Sequence, residues 1–500
     1  MVVGAGTGGL TAAIRLAHAG HDVTVLDAAP EVGGSIRGYD RDGFGFDTEA
    51  TAVHLPAVFR DLFLTTSRRR EGAALEDVVE LTALDPAIRY RWREGPEVAV
   101  PTANHRRAAN AFGDALGGTA ARDWTAMSER ASDMWALVRP AVFDQPFPGA
   151  AALSRRWGPA GLRTVAPYSS LRRLAARYLT DPRLTSVLDT FATDQGNDPR
   201  QAAAAMAMLA YATQTFGTWH VGGGVRELAR AMQRRAEDLG ALFRFDTEVV
   251  RISSDRDRVR GVVLADDTTI GADVVVSDTD VWHLYQRLLD DRRTVGHRKL
   301  VSRSTPSASR FRMFLAVRGR SPDLAPATIL FADDPDAELD AVFGSRPAPA
   351  TDPTISVSVP DDPRMRPDDD HEAWTVSVLA PAHDPAGGFD WDVPGVAGAY
   401  AATILDRLAE IGVEVRPRLL WSEHRSPADL ERATGARGGA VGGIADVGPR
   451  SRPIQRRAAN RSPLPGLYVV GRGARPGPWL PMVGLGANLA AAAAIEDLTG

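Results

Sequence analysis

Cysteine is absent from this 500-residue chain. Disulfides, thiolate catalysis and cysteine-ligated metals are therefore excluded, and a reducing compartment fits. Lysine is nearly absent too, since Lys299 is the only one and every other Lys/Arg position is arginine. With the abundant alanine, this reads as a coding bias, not as an arginine-specific binding function. The formal net charge is −5, so no broad electrostatic case for nucleic acid exists. The longest interior apolar run, Ala202 to Ala212, is far short of the ~20 residues that span a bilayer. No charged-then-apolar leader opens the chain. The expectation is a soluble, cytoplasmic protein, at most peripheral to the cytoplasmic face of a membrane. HExxH and GxSxG are missing as well, which leaves zinc protease and serine hydrolase chemistry without support.

What is present is ordinary globular composition, 44% apolar and 24% charged, in a chain too long for one core. After the opening MVVGAGTGGL, residues Leu10, Ala13, Ile14 and Ala17 form one helical apolar stripe. Gly20 stops that helix and DVTVLD (Asp22 to Asp27) reads as the next strand. Strand, glycine turn, helix and strand make a βαβ unit, hence a parallel sheet. From about Leu81 to Thr215 helical segments broken by prolines dominate, among them amphipathic LRRLAARYL (Leu171 to Leu179). Leu242 to Asp278 is β-rich, with Asp266-Asp267 marking a hairpin turn. ISVSVP and WTVSVLAP look like paired strands of a second sheet, and PGLYVVG like a buried strand before an alanine-rich helix from Ala487. The pattern predicts an α/β fold. A Rossmann-type, glutathione-reductase-like domain is built from residues 1–75, 216–300 and 440–500, with an inserted α+β substrate domain from 76–215 and 301–439.

The glycine turn carries the chemistry. In G-x-G-x-x-G, Gly4 permits the tight turn, Gly6 lets backbone approach a pyrophosphate, and Gly9 allows helix–strand packing. The helix N-terminus then offers free N–H groups to phosphates. Asp27 closes the second strand where an acid accepts a ribose hydroxyl bond. A second glycine pair, Gly33-Gly34, follows six residues later in APEVGGSIRG and precedes DGFGFDT. Backbone bare of side chains again implies close approach to a ligand. This second pair points to FAD over NAD.

These motifs, with WHVGGGVREL, TEVVRI, VVVSDTD, VPDDPRMRP…WTVSVLAP and GLYVVGRGARPGPWLPMVGLGANLAA, resemble the bacterial phytoene desaturase family. Members are FAD-dependent carotenoid desaturases, and the resemblance covers most of the chain. It implies that Gly4, Gly6, Gly8, Gly9 and Asp27 hold the ADP half of FAD, with Gly33, Gly34 and Ser35 beside it. It also implies that Val249 contacts the adenine through its backbone, and that Gly471, Met482 and Val483 meet the pyrophosphate or isoalloxazine. The chain departs from the family pattern in three places. Ser35-Ile36-Arg37 follows Gly33-Gly34 where the family commonly reads GGRAG, and Glu49-Ala50 replaces Gly-Pro of DTGPT. Ala474 to Trp479 replaces T-H-P-G-x-G. The implied activity is removal of hydride and proton from a hydrophobic, polyprenyl- or carotenoid-like substrate, with oxygen or quinone as electron acceptor. A flavin-dependent polyene isomerase and an amine-oxidase-like flavoenzyme of specialised metabolism are the alternatives.

Glu49 is the first candidate for an ionisable group near the flavin, set against a salt bridge to Arg475. Arg475 is a candidate for stabilising reduced flavin or a polar substrate end, set against a loop contact. His54 reads first as a structural histidine. Met206, Met208, Tyr211 and Phe216 suit an apolar pocket or plain core. Asp368 to His371 reads as a solvated loop, so no metal is expected. Arg172, Arg173 and Arg177 on LRRLAARYL suit an anionic membrane or a domain-surface helix. Finally, a first strand starting at Met1 would bury an α-amine in mid-sheet unless it reaches water, so a natural start slightly upstream is an open expectation.

Overall fold

The computed structural model describes residues 1–67, 74–445 and 457–499. Val2–Val3 is the middle strand of a five-stranded, wholly parallel sheet. The order across it is Leu242–Arg244, Thr24–Leu26, Val2–Val3, Val275–Ser277 and Leu467–Val469. Alternation along each strand divides the side chains between two layers. Val2, Val25, Val276 and Tyr468 face helices, among them Thr7–His18, Arg226–Asp238 and Leu480–Thr499. Val3, Leu26, Val275 and Val469 face the other way. There they meet an antiparallel sheet of Val249–Ser254, Val259–Leu264 and Thr269–Gly271, whose hairpin turns at Asp267 with φ 64°.

The short first strand is longer in its hydrogen bonds than its two residues suggest. Val276 N–H donates to Met1 O, Asp278 N–H to Val3 O and Gly4 N–H to Leu26 O. The α-amine of Met1 donates to Val274 O at 3.0 Å, and burial pulls its pKa down to about 6.

A second, seven-stranded sheet runs Leu419–Arg425, Ser309–Arg318, His371–Ala380, Ile355–Ser358, Ala327–Leu330, Ile88–Arg91, Glu97–Val100. The expected pairing of ISVSVP with WTVSVLAP is antiparallel, Ile355 opposite Val378. Phe311, Met313, Leu315 and Val317 point to one face, under the helix Val396–Glu410. Phe314 and Ala316 occupy the other face with Phe44 and Phe46 of the hairpin Tyr39–Phe46. By the same alternation Arg312 lies on this second face, toward the glycine turn's side of the molecule.

One expectation about helices changes, and one pair of alternatives resolves toward the domain-surface helix. The last helix begins at Leu480, not Ala487, because Pro481 falls in a first turn, where a missing N–H costs nothing. In LRRLAARYL the apolar side is not offered to a membrane, because Leu171, Leu174 and Ala175 are buried in the helical core. Arg172 is spent on Asp189 and Asp336. Core packing outcompetes interfacial docking on that helix. Among the described residues, no helix is long and apolar enough to cross a membrane.

Candidate active site

The glycine turn is built by contact, as its spacing predicts. A Cβ on Gly9 would lie 2.0 Å from Gly4 O, so only glycine lets helix and strand close. Gly4 takes φ +99° and Gly33 φ +113°, conformations costly for any residue with a Cβ. The two glycine runs meet: Gly33 N–H donates to Ala5 O, and a Cβ on Gly34 would lie 3.3 Å from Gly6 Cα. Gly471, with φ +89°, closes the third side, its nitrogen 2.9 Å from a Cβ placed on Gly8.

At the centre of this cradle stands Asp278, which the sequence reading passed over inside VVVSDTD. Its Oδ2 accepts from Gly9 N–H at 2.9 Å. A Cβ on Gly6, Gly8 or Gly471 would come within 2.5 to 2.6 Å of its carboxylate oxygens. Burial is the main influence on this carboxyl and pushes its pKa up to about 7; the amides of Gly9, Gly8 and Gly6 lower it and Asp27 raises it. The cradle therefore already binds anionic oxygens, and Asp278 shows where.

Asp27 holds the rim. Its Oδ2 accepts from Ala5 N–H at 2.6 Å and its Oδ1 from Ala29 N–H at 2.8 Å. A carboxylate has about four lone-pair sites, so a ribose hydroxyl can still be accepted. Thr247 N–H returns to Asp27 O just before Val249 begins its strand, which brings Val249 to the same side as Asp27. Ser35 lies in the turn after Gly34, its carbonyl accepting from Thr48 Oγ1. Met482 and Val483 are buried in the first turn of the terminal helix, where Val483 N–H donates to Trp479 O.

Beyond the cradle lies a cluster of charged side chains. Arg472 grips Glu49 with both terminal nitrogens, Nη1 donating to Oε1 at 2.9 Å. Arg312 Nη1 donates to Thr48 O and stands 3.9 Å from Glu49 Oε1. The expected partner, Arg475, is elsewhere. Its guanidinium lies 4.7 Å over the Phe147 ring, and its backbone is tied to Ala458 and Asn460. Those ties turn Arg475 away, while Arg472, three residues earlier, faces Glu49. Burial depresses both clustered guanidiniums, Arg472 to about 10 and Arg312, with help from Arg310 and Arg425, to about 9. Neither Arg312 nor Arg472 was singled out from sequence. Arg312 carried one faint signal, a charged residue alternating into an otherwise apolar strand.

His54 joins the site's apolar edge. Its ring stacks on Trp479 with centroids 6.0 Å apart, Thr218 Oγ1 lies 3.3 Å from its Nδ1, and burial lowers its pKa to about 4. Trp479 and Met482 belong with Met206, Met208, Tyr211 and Phe216 to the helical core cluster. The helix Ala207–Phe216 begins only after a short 3-10 turn. Asp368 to Asp370 lie in an exposed loop, as read from the sequence, while His371, hydrogen-bonded to Asp368, begins the strand His371–Ala380.

A family model described as flavin containing amine oxidoreductase matches residues 7–402. The chain belongs to the flavin-containing amine oxidoreductase family. It is an oxidoreductase and its cofactor is FAD. The 4,4'-diapolycopene oxygenase of Methylomonas sp is 29% identical, over 100% of this chain and 98% of that protein. A hydroxyneurosporene desaturase of Rubrivivax gelatinosus is 31% identical, over 98% of this chain and 92% of the relative. The resemblance to bacterial carotenoid desaturases thus holds along the whole chain. Among solved structures, putrescine oxidase bound to putrescine has a TM-score of 0.65 at 16% identity, covering 100% of this chain and 98% of its own. That likeness is one of fold. The residues present fit FAD: glycine-lined backbone that already holds a carboxylate provides the contacts a pyrophosphate needs.

Proposed function

We propose that the protein desaturates a hydrophobic, polyene-like substrate of polyprenyl or carotenoid type, removing a hydride and a proton from neighbouring carbons. FAD, when bound, supplies the two-electron acceptor. The chain's own part is to hold, orient and dry the reacting carbons. One observation carries the reading. The turn after Gly471 leads into apolar packing, with Trp479 and Met482 joined to a core that includes Met206, Met208, Tyr211 and Phe216. Methionine and aromatic side chains suit a long, irregular hydrocarbon. The names of the relatives, desaturases and oxygenases of carotenoids, support the same class.

The Gly4, Gly6, Gly8 and Gly9 backbone with Gly33, Gly34, Ser35 and Gly471 holds the diphosphate side. Asp27 and Val249 hold the adenosine end, and Met482 and Val483 lie at the ring end. Glu49 works by position: it fixes the Arg472 guanidinium, which would favour negative charge on a bound flavin. Arg475, stacked on Phe147, orients the substrate's far end. An amine substrate is disfavoured, because two guanidiniums surround one carboxylate at this cluster and would repel an ammonium group. Electrons pass on to oxygen or a quinone. The domain division at residues 1–75, 216–300 and 440–500 against 76–215 and 301–439 is supported by the two sheets. All strands of the parallel sheet fall in the first set and all strands of the seven-stranded sheet in the second. A cytoplasmic location with peripheral membrane contact suits the substrate, through a face other than the Leu171–Tyr178 helix.

The test is product analysis. Reconstituted holoprotein incubated with polyenes of graded unsaturation should release products lighter by two hydrogens. Products heavier by oxygen would move the reading to an oxygenase. Products of unchanged mass, formed only after flavin prereduction, would overturn it in favour of isomerisation.

A further inference from the structure

The carboxylate in the phosphate cradle is not required by anything above. A diphosphate brings two negative charges to the same amides, and Asp278 is already there. Its backbone is fixed in place. Asp278 N–H is locked to Val3 O in the sheet ladder. Its Cβ is hemmed between two glycines, since a Cβ on Gly4 would lie 3.1 Å from it and one on Gly9 3.3 Å. The base of this side chain is therefore held at the cradle, with its carboxylate on the amide of Gly9.

We propose that Asp278 is the resident anion of the FAD phosphate cradle, and that cofactor binding neutralises it, so that each FAD enters with one proton taken up from solvent. The proposal rests on the FAD assignment.

The charged surroundings favour neutralisation. From the end of the Thr24–Leu26 strand the facing group is Asp27, another carboxylate. From the helix Thr7–His18 come only backbone amides, and its Arg15 is turned to Asp61 and Asn488. From the end of the Leu467–Val469 strand, Gly471 offers backbone and Arg472 is committed to Glu49. On Asp278's own segment, Asp280 caps the next helix by accepting from Trp282 and His283 N–H. The nearest carboxylate therefore repels Asp278's charge, and the placed arginines are engaged elsewhere. Burial has already moved this carboxyl into the neutral range of pH, so the proton is cheap to add.

The experiment uses the full chain, stripped of flavin and titrated with FAD at pH 6 to 9, following flavin fluorescence. Below pH 7 affinity should be nearly constant. Above it, one linked proton makes Kd rise about tenfold per pH unit. Calorimetry at pH 8 in two buffers of different ionisation heat should give about one proton taken up per FAD. Asp278→Asn keeps an acceptor for Gly9 N–H and removes the charge, so its Kd should be flat with pH and lower than wild type at pH 8.5. A flat wild-type Kd with no proton uptake overturns the proposal, as does an Asp278→Asn variant with the wild-type slope. Should Asp278→Asn fail to fold, the calorimetric proton count on wild type decides alone. Failure to bind FAD at any pH would instead strike the cofactor assignment, so the two failures are distinguishable.

Discussion

The cradle and the charged cluster beyond it are made differently. The cradle is made of backbone: Gly4, Gly6, Gly8, Gly9, Gly33 and Gly34 lie within 30 positions of one another and need only turns of the right sign. The cluster is made of side chains from distant segments, with Glu49 and Arg472 separated by 423 positions. A backbone site tolerates no added atom. A side-chain site tolerates exchange as long as its charges stay paired.

The largest effect should come from the cradle. Gly9→Val places a side chain where Gly4 O stands 2.0 Å away and should cost roughly 3 kcal/mol or more. FAD content and melting temperature should both collapse. A variant that retained full flavin would break the contrast at its strong end.

Next comes the half-buried pair. Glu49→Gln leaves both Arg472 and Arg312 without their shared carboxylate and should cost about 3 kcal/mol of stability, whereas Arg472→Gln, which leaves Glu49 beside Arg312, should cost less. The double variant should recover part of that, as a double-mutant cycle in denaturant will show. Strict additivity would mean that the two groups do not act as a pair.

His54 should have a smaller, pH-dependent effect. Its pKa falls from the ordinary 6.5 to about 4 in the folded chain. The unfolded chain therefore binds the extra proton between those values. Stability tied to the neutral ring is complete above pH 6.5 and is lost as pH falls toward 4. Buried carboxyls such as Asp47, raised to about 6 mainly by burial, slope the other way. The readout is thus the difference between wild type and His54→Gln. That difference should shrink by about 2 kcal/mol from pH 7 to pH 5. A constant difference would remove His54 from the buried edge.

The smallest effect concerns the arginine helix. Arg173→Glu with Arg177→Glu should leave binding to anionic vesicles within about twofold, since that helix spends its apolar face on the core. A large loss would restore it as a docking surface.

These contrasts explain what the sequence could reveal. The parallel sheet, the glycine turn and the strand that Asp27 closes were legible because each depends on spacing along a short stretch, whereas the contact of Gly33-Gly34 with the first glycine run was not. Asp278 was not, because a carboxylate at the end of one strand becomes central only when three other segments close around it. Arg472 and Arg475 sit in one glycine-punctuated turn, and the sequence cannot say which faces Glu49. Ties from Ala458 and Asn460 decide that. Arg312 needed the alternation of a strand whose partner faces are both buried.

The most direct test is a single anaerobic turnover. Holoprotein mixed with a polyene substrate should lose the absorbance of oxidised flavin in a 1:1 ratio with new double bonds formed, about one per FAD. New double bonds without flavin reduction, or flavin reduction without them, would contradict the account.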